Sequence, residues 1–178
     1  MLRLFVGIEF PPELKLRLSL LQSGIAGARW IDPGNFHLTL RFIGEVSEAV
    51  AADVDEVLLR LKARRFTLQL AGVGIFGSDK LRTLWVGVER DPALSTLQGK
   101  IELALIRTGL PPEPRKFSPH VTLARLRAPR PGDIQQFLAT HAQFRAAPLL
   151  VERFSLIASY PTKAGSVYED QAEYPLTG

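Results

Sequence analysis

The first apolar run, Leu2 to Phe10, carries β-branched Val6 and Ile8 and stops at Pro11-Pro12, which predicts a strand. Pro12-Glu13 then opens a helix to about Ser23, with proline in its first turn and Gly24 near its end. Leu14, Leu16, Leu18 and Leu20 alternate as a strand would, whereas Leu14, Leu18, Leu21 and Ile25 share a helical face. The start signal and the length decide for the helix. Asp32-Pro33-Gly34-Asn35 is turn chemistry, and Phe36 to Ile43 after it reads as a strand. Ser47 caps a second helix with Val50, Val54, Val57, Leu58 and Leu61 on one side. Phe66 to Leu70 and Thr83 to Val88 are expected strands flanking a glycine-rich connection, Gly72 to Gly77. Asp91 caps a third helix, with Pro92 first, Leu94, Leu97, Ile101 and Leu105 inward, and Gly109 at its end. A loop spans Pro111 to Pro114, and strands are expected around His120 to Leu126, Leu149 to Ala158 and Val167 to Glu173.

Helices and strands alternate in part, but several strands follow one another directly. That pattern predicts an α+β fold with antiparallel sheets rather than a doubly wound parallel one. No linker divides the chain, so one domain over residues 1–178 is expected.

Composition narrows the class. The 178 residues are 46% apolar and 22% charged, a globular rather than a disordered balance. Cysteine is absent, which excludes disulfides, thiolate metal sites and a cysteine nucleophile. Charges interrupt every apolar run well short of the ~20 residues of a membrane span, and Glu9 and Pro11-Pro12 interrupt any leader-like stretch. A cytoplasmic protein without a membrane partner is the expectation. Lys and Arg outnumber Asp and Glu by 22 to 18, a tilt toward a phosphate-bearing partner.

The chemistry lies in an internal echo. His37-Leu38-Thr39-Leu40 and His120-Val121-Thr122-Leu123 share one frame, and they use two of only three histidines. By composition alone such a coincidence is expected on the order of once in 10⁴, so a long-period repeat is the economical explanation. On a strand, His37 and Thr39 point to one face and Leu38 and Leu40 to the other, and the second copy behaves alike. Two related lobes would then turn two His-Thr pairs toward a shared groove. In-line hydrolysis of a phosphodiester needs a base for water and an acid for the departing oxygen, on opposite sides of phosphorus. Imidazole fills either role near neutrality, and threonine hydroxyls can hold the non-bridging oxygens.

These paired motifs resemble the signature of the two-histidine phosphoesterase superfamily. Further matches resemble its RNA 2′,3′-cyclic phosphodiesterases, also called 2′-5′ RNA ligases. They are Arg3 to Ile8, Arg29-Trp30, Asn35 to Glu45, Phe76-Gly77, Leu84 to Val88, Phe117 to Arg125, and the region around Val167-Tyr168-Glu169. Ser118 departs from the arginine usual there in that family. The resemblance implies a bilobal fold with a catalytic cleft between pseudo-symmetric lobes. It assigns His37 as proton donor and His120 as proton acceptor, roles that the sequence's own symmetry does not separate. The implied reaction opens a terminal 2′,3′-cyclic phosphate to a 2′-phosphomonoester without metal or cofactor, with reversible 2′-5′ ligation a further possibility of the same site. Thr39 and Thr122 would bind phosphate.

Phe42 and Arg125 each stand five residues past a histidine and could sandwich a base as RNA-binding residues, with core packing the rival reading for Phe42. Arg41 falls on the His37 face if the strand stays regular. His141 has no such frame and reads as a helix end or loop. Gly72 to Gly77 lacks the Lys-Ser/Thr ending of a P-loop and reads as a turn-rich connection. Two rivals remain at this point: a phosphodiesterase acting on a small cyclic nucleotide, and an RNA-binding module whose histidines are ligands only. A monomer is the default.

Overall fold

The computed structural model describes every residue except Asp79. Strand β1 (Leu2–Glu9) faces Leu4, Val6 and Ile8 into the core, and it becomes an interior strand of a four-stranded sheet, β10-β9-β1-β3. Its neighbours are β3 (His37–Val46) on one side and the hairpin of β9 (Arg153–Thr162) and β10 (Gly165–Pro175) on the other. A second four-stranded sheet runs β2-β7-β6-β5, built from β2 (Arg29–Trp30), β5 (Leu70–Ser78), β6 (Leu81–Val88) and β7 (His120–Arg127). β4 (Phe66–Leu68) and β8 (Leu149–Val151) form a small separate pair. Every ladder between these strands is antiparallel. The expected α+β, two-lobed architecture is the one observed.

The two halves of the chain are interleaved. β3, which carries the first motif, sits in a sheet whose β9 and β10 come from the end of the chain. β7, which carries the second, sits among β2, β5 and β6 from the first half. Helix α2 (Glu48–Leu59) is capped by Ser47, whose hydroxyl accepts from the Val50 N–H, and it buries Val54 and Leu58. Helix α3 (Pro92–Arg107) is capped by Asp91 and buries Leu94, Leu97, Ile101 and Leu105, as the spacing predicts. It packs against α2 and β3. Helix α1 (Pro12–Ser19) ends sooner than expected, because turns and the left-handed Gly24 redirect the chain while Leu21 and Ile25 still reach the core. Helix α4 (Pro131–Thr140), which the apolar spacing does not announce, buries Ile134 and Phe137, and His141 closes it with its ring on Phe137. Among the described residues no helix is long and apolar enough to cross a membrane.

The glycine-rich segment is a strand, not a turn-rich connection. Gly74 lies under the indole of Trp85, its cross-strand neighbour, so closely that a Cβ there would overlap the ring. Gly77 adopts φ +91°, a conformation that L side chains rarely accept. The glycines thus serve packing and strand curvature. The expected strands at Phe66 to Leu70 and Leu149 to Ala158 each divide, because β4 and β8 leave the main sheets to pair together.

Candidate active site

Both motif strands contain the same irregularity. In β3, Thr39 pairs with Gly7 and Arg41 with Val6, so Leu40 is an extra residue. In β7, Thr122 pairs with Trp85 and Ala124 with Leu84, so Leu123 is the extra one. Each bulge falls on the final leucine of a His-x-Thr-Leu motif and reverses the alternation beyond it. Leu40 and Arg41 are consecutively buried, as are Leu123 and Ala124, and Phe42 and Arg125 emerge exposed. The bulge therefore returns the fifth residue after each histidine to the histidine's face. It sends Arg41 the other way, off the His37 face where regular alternation would have put it.

The imidazoles are held alike. His37 Nδ1 lies 2.8 Å from the Asn35 carbonyl oxygen, and His120 Nδ1 lies 2.7 Å from that of Ser118. A carbonyl only accepts, so each Nδ1 carries hydrogen, and the lone pair of each neutral ring is at Nε2. Asn35 is itself fixed, its amide nitrogen donating to the Ser166 carbonyl at 2.7 Å. Gln22 and the N–H of Ile31 both bond to the Leu123 carbonyl, anchoring the second bulge to the chain around β2.

Beyond that the two sites differ. The His37 ring sits between Phe5, at 4.7 Å, and the edge of Tyr168, at 5.2 Å. Its Nε2 is 2.7 Å from Thr39 Oγ1, whose hydroxyl donates while the ring is neutral. Burial pushes the His37 pKa below its ordinary value, the Asn35 carbonyl opposes this, and the charges of His120 and Lys15 add to the depression. That His120 is felt at His37 places the two imidazoles within electrostatic reach. His120 instead lines an open cleft of about 450 Å³ together with Thr39, Phe42, Phe76, Phe117 and Ser118. Phe76 meets the His120 ring edge-on at 4.8 Å, and Trp85 lies at 6.4 Å.

Phe42 is 54% exposed and lines this cleft, so the core-packing alternative does not describe it. Arg125 is not among the residues around that cavity; its charge is felt instead at Tyr168, on the His37 side. Around this cleft the structure brings together Thr39, Phe42 and His120; His37 adjoins it through Thr39, Thr122 stands beside His120 on β7, and neither of these two nor Arg125 is among the residues around the cavity. Phe76, Trp85 and Tyr168 are not legible as site residues in the sequence, because cross-strand register, not local sequence, delivers them. Among the described residues one group of carboxylates has spacing suited to a cation, Glu9, Asp170 and Glu173, and all three are exposed.

Comparison with known proteins agrees with the duplicated geometry. The LigT-like phosphoesterase family model matches twice, over residues 8–85 and again over 86–168, one motif in each half. The chain belongs to the LigT-like phosphoesterase family. A relative from Aeropyrum pernix, named RNA 2′,3′-cyclic phosphodiesterase, is 36% identical over 159 residues, 87% of this chain and 89% of its own length. One of the same name from Thermotoga maritima is 31% identical over 186 residues, covering 99% and 97%. Among solved structures, E. coli LigT in apo form superposes with a TM-score of 0.82 at 25% identity, covering 99% of this chain and 98% of that one. LigT-like phosphoesterases thus include close sequence relatives along nearly the full chain, and the two-histidine family expected from the motifs is the one found.

Proposed function

We propose that this protein is an RNA 2′,3′-cyclic phosphodiesterase that opens a terminal cyclic phosphate to a 2′-phosphomonoester. The observation that carries the reading is the pair of imidazoles with Nδ1 pinned by the carbonyl two residues upstream, His37 Nε2 resting on Thr39 Oγ1 and the His120 ring lining the cleft. The names of the relatives support the substrate.

In the proposed mechanism His120 is the base. Its Nε2 takes a proton from water as the water oxygen attacks phosphorus. His37 is the acid, and its Nε2–H protonates the 3′-oxygen as the P–O3′ bond breaks. One water is consumed, one P–O bond forms and one breaks, and the proton balance between the imidazoles is restored by exchange with solvent. Burial makes imidazolium at His37 a strong acid, and a phosphate anion beside it supplies the charge that keeps the proton on before transfer. Thr39 and Thr122 hold non-bridging oxygens; Thr39 also orients His37 through its hydroxyl. Phe42, exposed in the cleft, stacks a base, and a 5′-hydroxyl replacing water would make the same site a 2′-5′ ligase.

A turnover assay tests this, with RNA ending in a 2′,3′-cyclic phosphate beside 2′,3′-cyclic mononucleotides, each with and without chelator. The expected result is a 2′-phosphate product from RNA at a rate unaffected by chelator. Loss of turnover restored by a divalent cation removes the two-imidazole mechanism. Turnover of mononucleotides alone transfers the reading to small cyclic nucleotides.

A further inference from the structure

Past the second bulge, β7 continues as a row of arginines. Arg125 and Arg127 stand on the exposed face that also carries His120 and Thr122, about 7 Å apart along the strand. On the adjacent strand β2, Arg29 is the direct register partner of Arg125. Its neighbour Trp30 turns the opposite way and packs on Phe137 of α4, which leaves Arg29 exposed on the Arg125 side. Two guanidinium groups therefore oppose each other across neighbouring strands, an arrangement that costs stability when nothing neutralises it. Among the described residues, no carboxylate lies within ion-pair distance of Arg29, Arg125 or Arg127.

The placement is directional. Tyr168, whose ring packs on His37, feels the charges of both Arg125 and, from β1, Arg3. The cavity beside His120 carries Phe42, Phe76 and Phe117 together with Arg115 and Lys116 from the loop that leads into His120. The arginine row is thus a second basic surface beside the histidine pair, on the side of Tyr168. A phosphodiester backbone, with oxygens that accept from two guanidinium forks at once, neutralises a step such as Arg29–Arg125.

We propose that Arg29, with Arg125 and Arg127, binds backbone phosphate of the RNA strand on the 5′ side of the reacting nucleotide. This assignment rests on the cyclic-phosphodiesterase reading and adds to it a preference for RNA ends over free cyclic mononucleotides.

The test compares wild type with Arg29→Gln and Arg29→Lys on two substrates across a salt series. One is a short RNA ending in a 2′,3′-cyclic phosphate and the other a 2′,3′-cyclic mononucleotide. Arg29→Gln is expected to raise KM for the RNA about tenfold and for the mononucleotide less than twofold, with kcat little changed. The slope of log KM against log salt for the RNA should fall by about 0.7 when one backbone phosphate is left without its guanidinium, and Arg29→Lys should recover it. Equal changes on both substrates, or an unchanged KM and salt slope for the RNA, overturn the arginine row while leaving the reaction in place. Should wild type open neither substrate, the reading beneath falls. Binding of fluorescently labelled RNA, followed by anisotropy over the same salt series, then decides the row alone: an unchanged slope in Arg29→Gln overturns it.

Discussion

Arg41, buried, and Glu102, half-buried, form an ion pair, Nε to Oε2 at 2.5 Å, which joins the first motif strand to helix α3. The same guanidinium donates to the carbonyls of Phe42 and Pro111, at 2.5 and 2.6 Å, and Glu102 accepts the Glu113 N–H at 2.9 Å. Burial works against the charge of Glu102, yet these bonds and Arg41 hold its carboxyl below the usual range. The loop that leads into His120 is thereby fastened to the lobe that carries His37. Arg41→Met leaves the half-buried Glu102 carboxylate without its partner and should cost about 1–3 kcal/mol of stability at pH 7, read by urea denaturation. Adding Glu102→Leu should recover part of that loss, and a double mutant no more stable than Arg41→Met contradicts the coupling.

His37→Ala and His120→Ala should each lower turnover of cyclic-phosphate RNA by about 10²–10⁴-fold. The double mutant should be little worse than the poorer single, because acid and base act on one transition state. Wild-type turnover in either single mutant ends the two-histidine mechanism.

The two threonines should separate. Each change to valine keeps the β-branched shape and removes the hydroxyl. Loss of a charge-holding hydroxyl costs on the order of 2–4 kcal/mol in kcat/KM. Only Thr39→Val also removes the partner of His37 Nε2. It alone should move the pH dependence of turnover, a difference visible in paired pH–rate profiles.

The depressed His37 pKa gives kcat/KM a definite shape. An acid must be protonated to act, so kcat/KM should fall on the alkaline side from a value below 6.5 in the free enzyme. In kcat the same limb should lie higher, because bound phosphate stabilises imidazolium. A limb at or above 6.5 in kcat/KM removes His37 as the buried acid.

Glu9 makes the opposite linkage visible in stability. Desolvation at the end of β1 and the neighbouring Asp170 carboxyl raise its pKa to about 7 from 4.5. A raised folded-state pKa means the contribution is complete below 4.5 and is lost as pH rises to about 7. Glu9→Gln, a mimic of the protonated side chain, should raise Tm at pH 8 and leave it nearly unchanged at pH 4. Thermal melts at the two pH values check this.

The motif pair, most helix starts and the fold class are legible in the residues, because caps, prolines and apolar spacing are local signals. The cleft is legible only in part. Five residues is an odd separation, and strict alternation would put Phe42 behind His37. Phe42 faces the cleft because Leu40 is an unpaired extra residue, and nothing in His-Leu-Thr-Leu announces it. The same bulge buries Arg41, which local sequence would place with the histidine. The glycines of β5 read as loop because the Trp85 ring that requires Gly74 arrives from another strand. Phe76 and Tyr168 reach the imidazoles through pairings across the sheets, and those are written in tertiary packing alone.

The interleaving of the two halves has a consequence for how the molecule comes into being. β1 precedes the other strands during synthesis, yet Leu4 must wait for Ala158, its partner in β9, before the sheet around His37 can close. The sheet around His120 needs only strands up to β7 and can assemble earlier. Closing so long a stretch of chain is slow on topological grounds, and β1 would spend that interval with one edge unpaired. Assembly should therefore be ordered: His120 has its scaffold before His37 does, and a nascent chain stopped short of β9 should carry a formed His120 lobe beside an unfinished one.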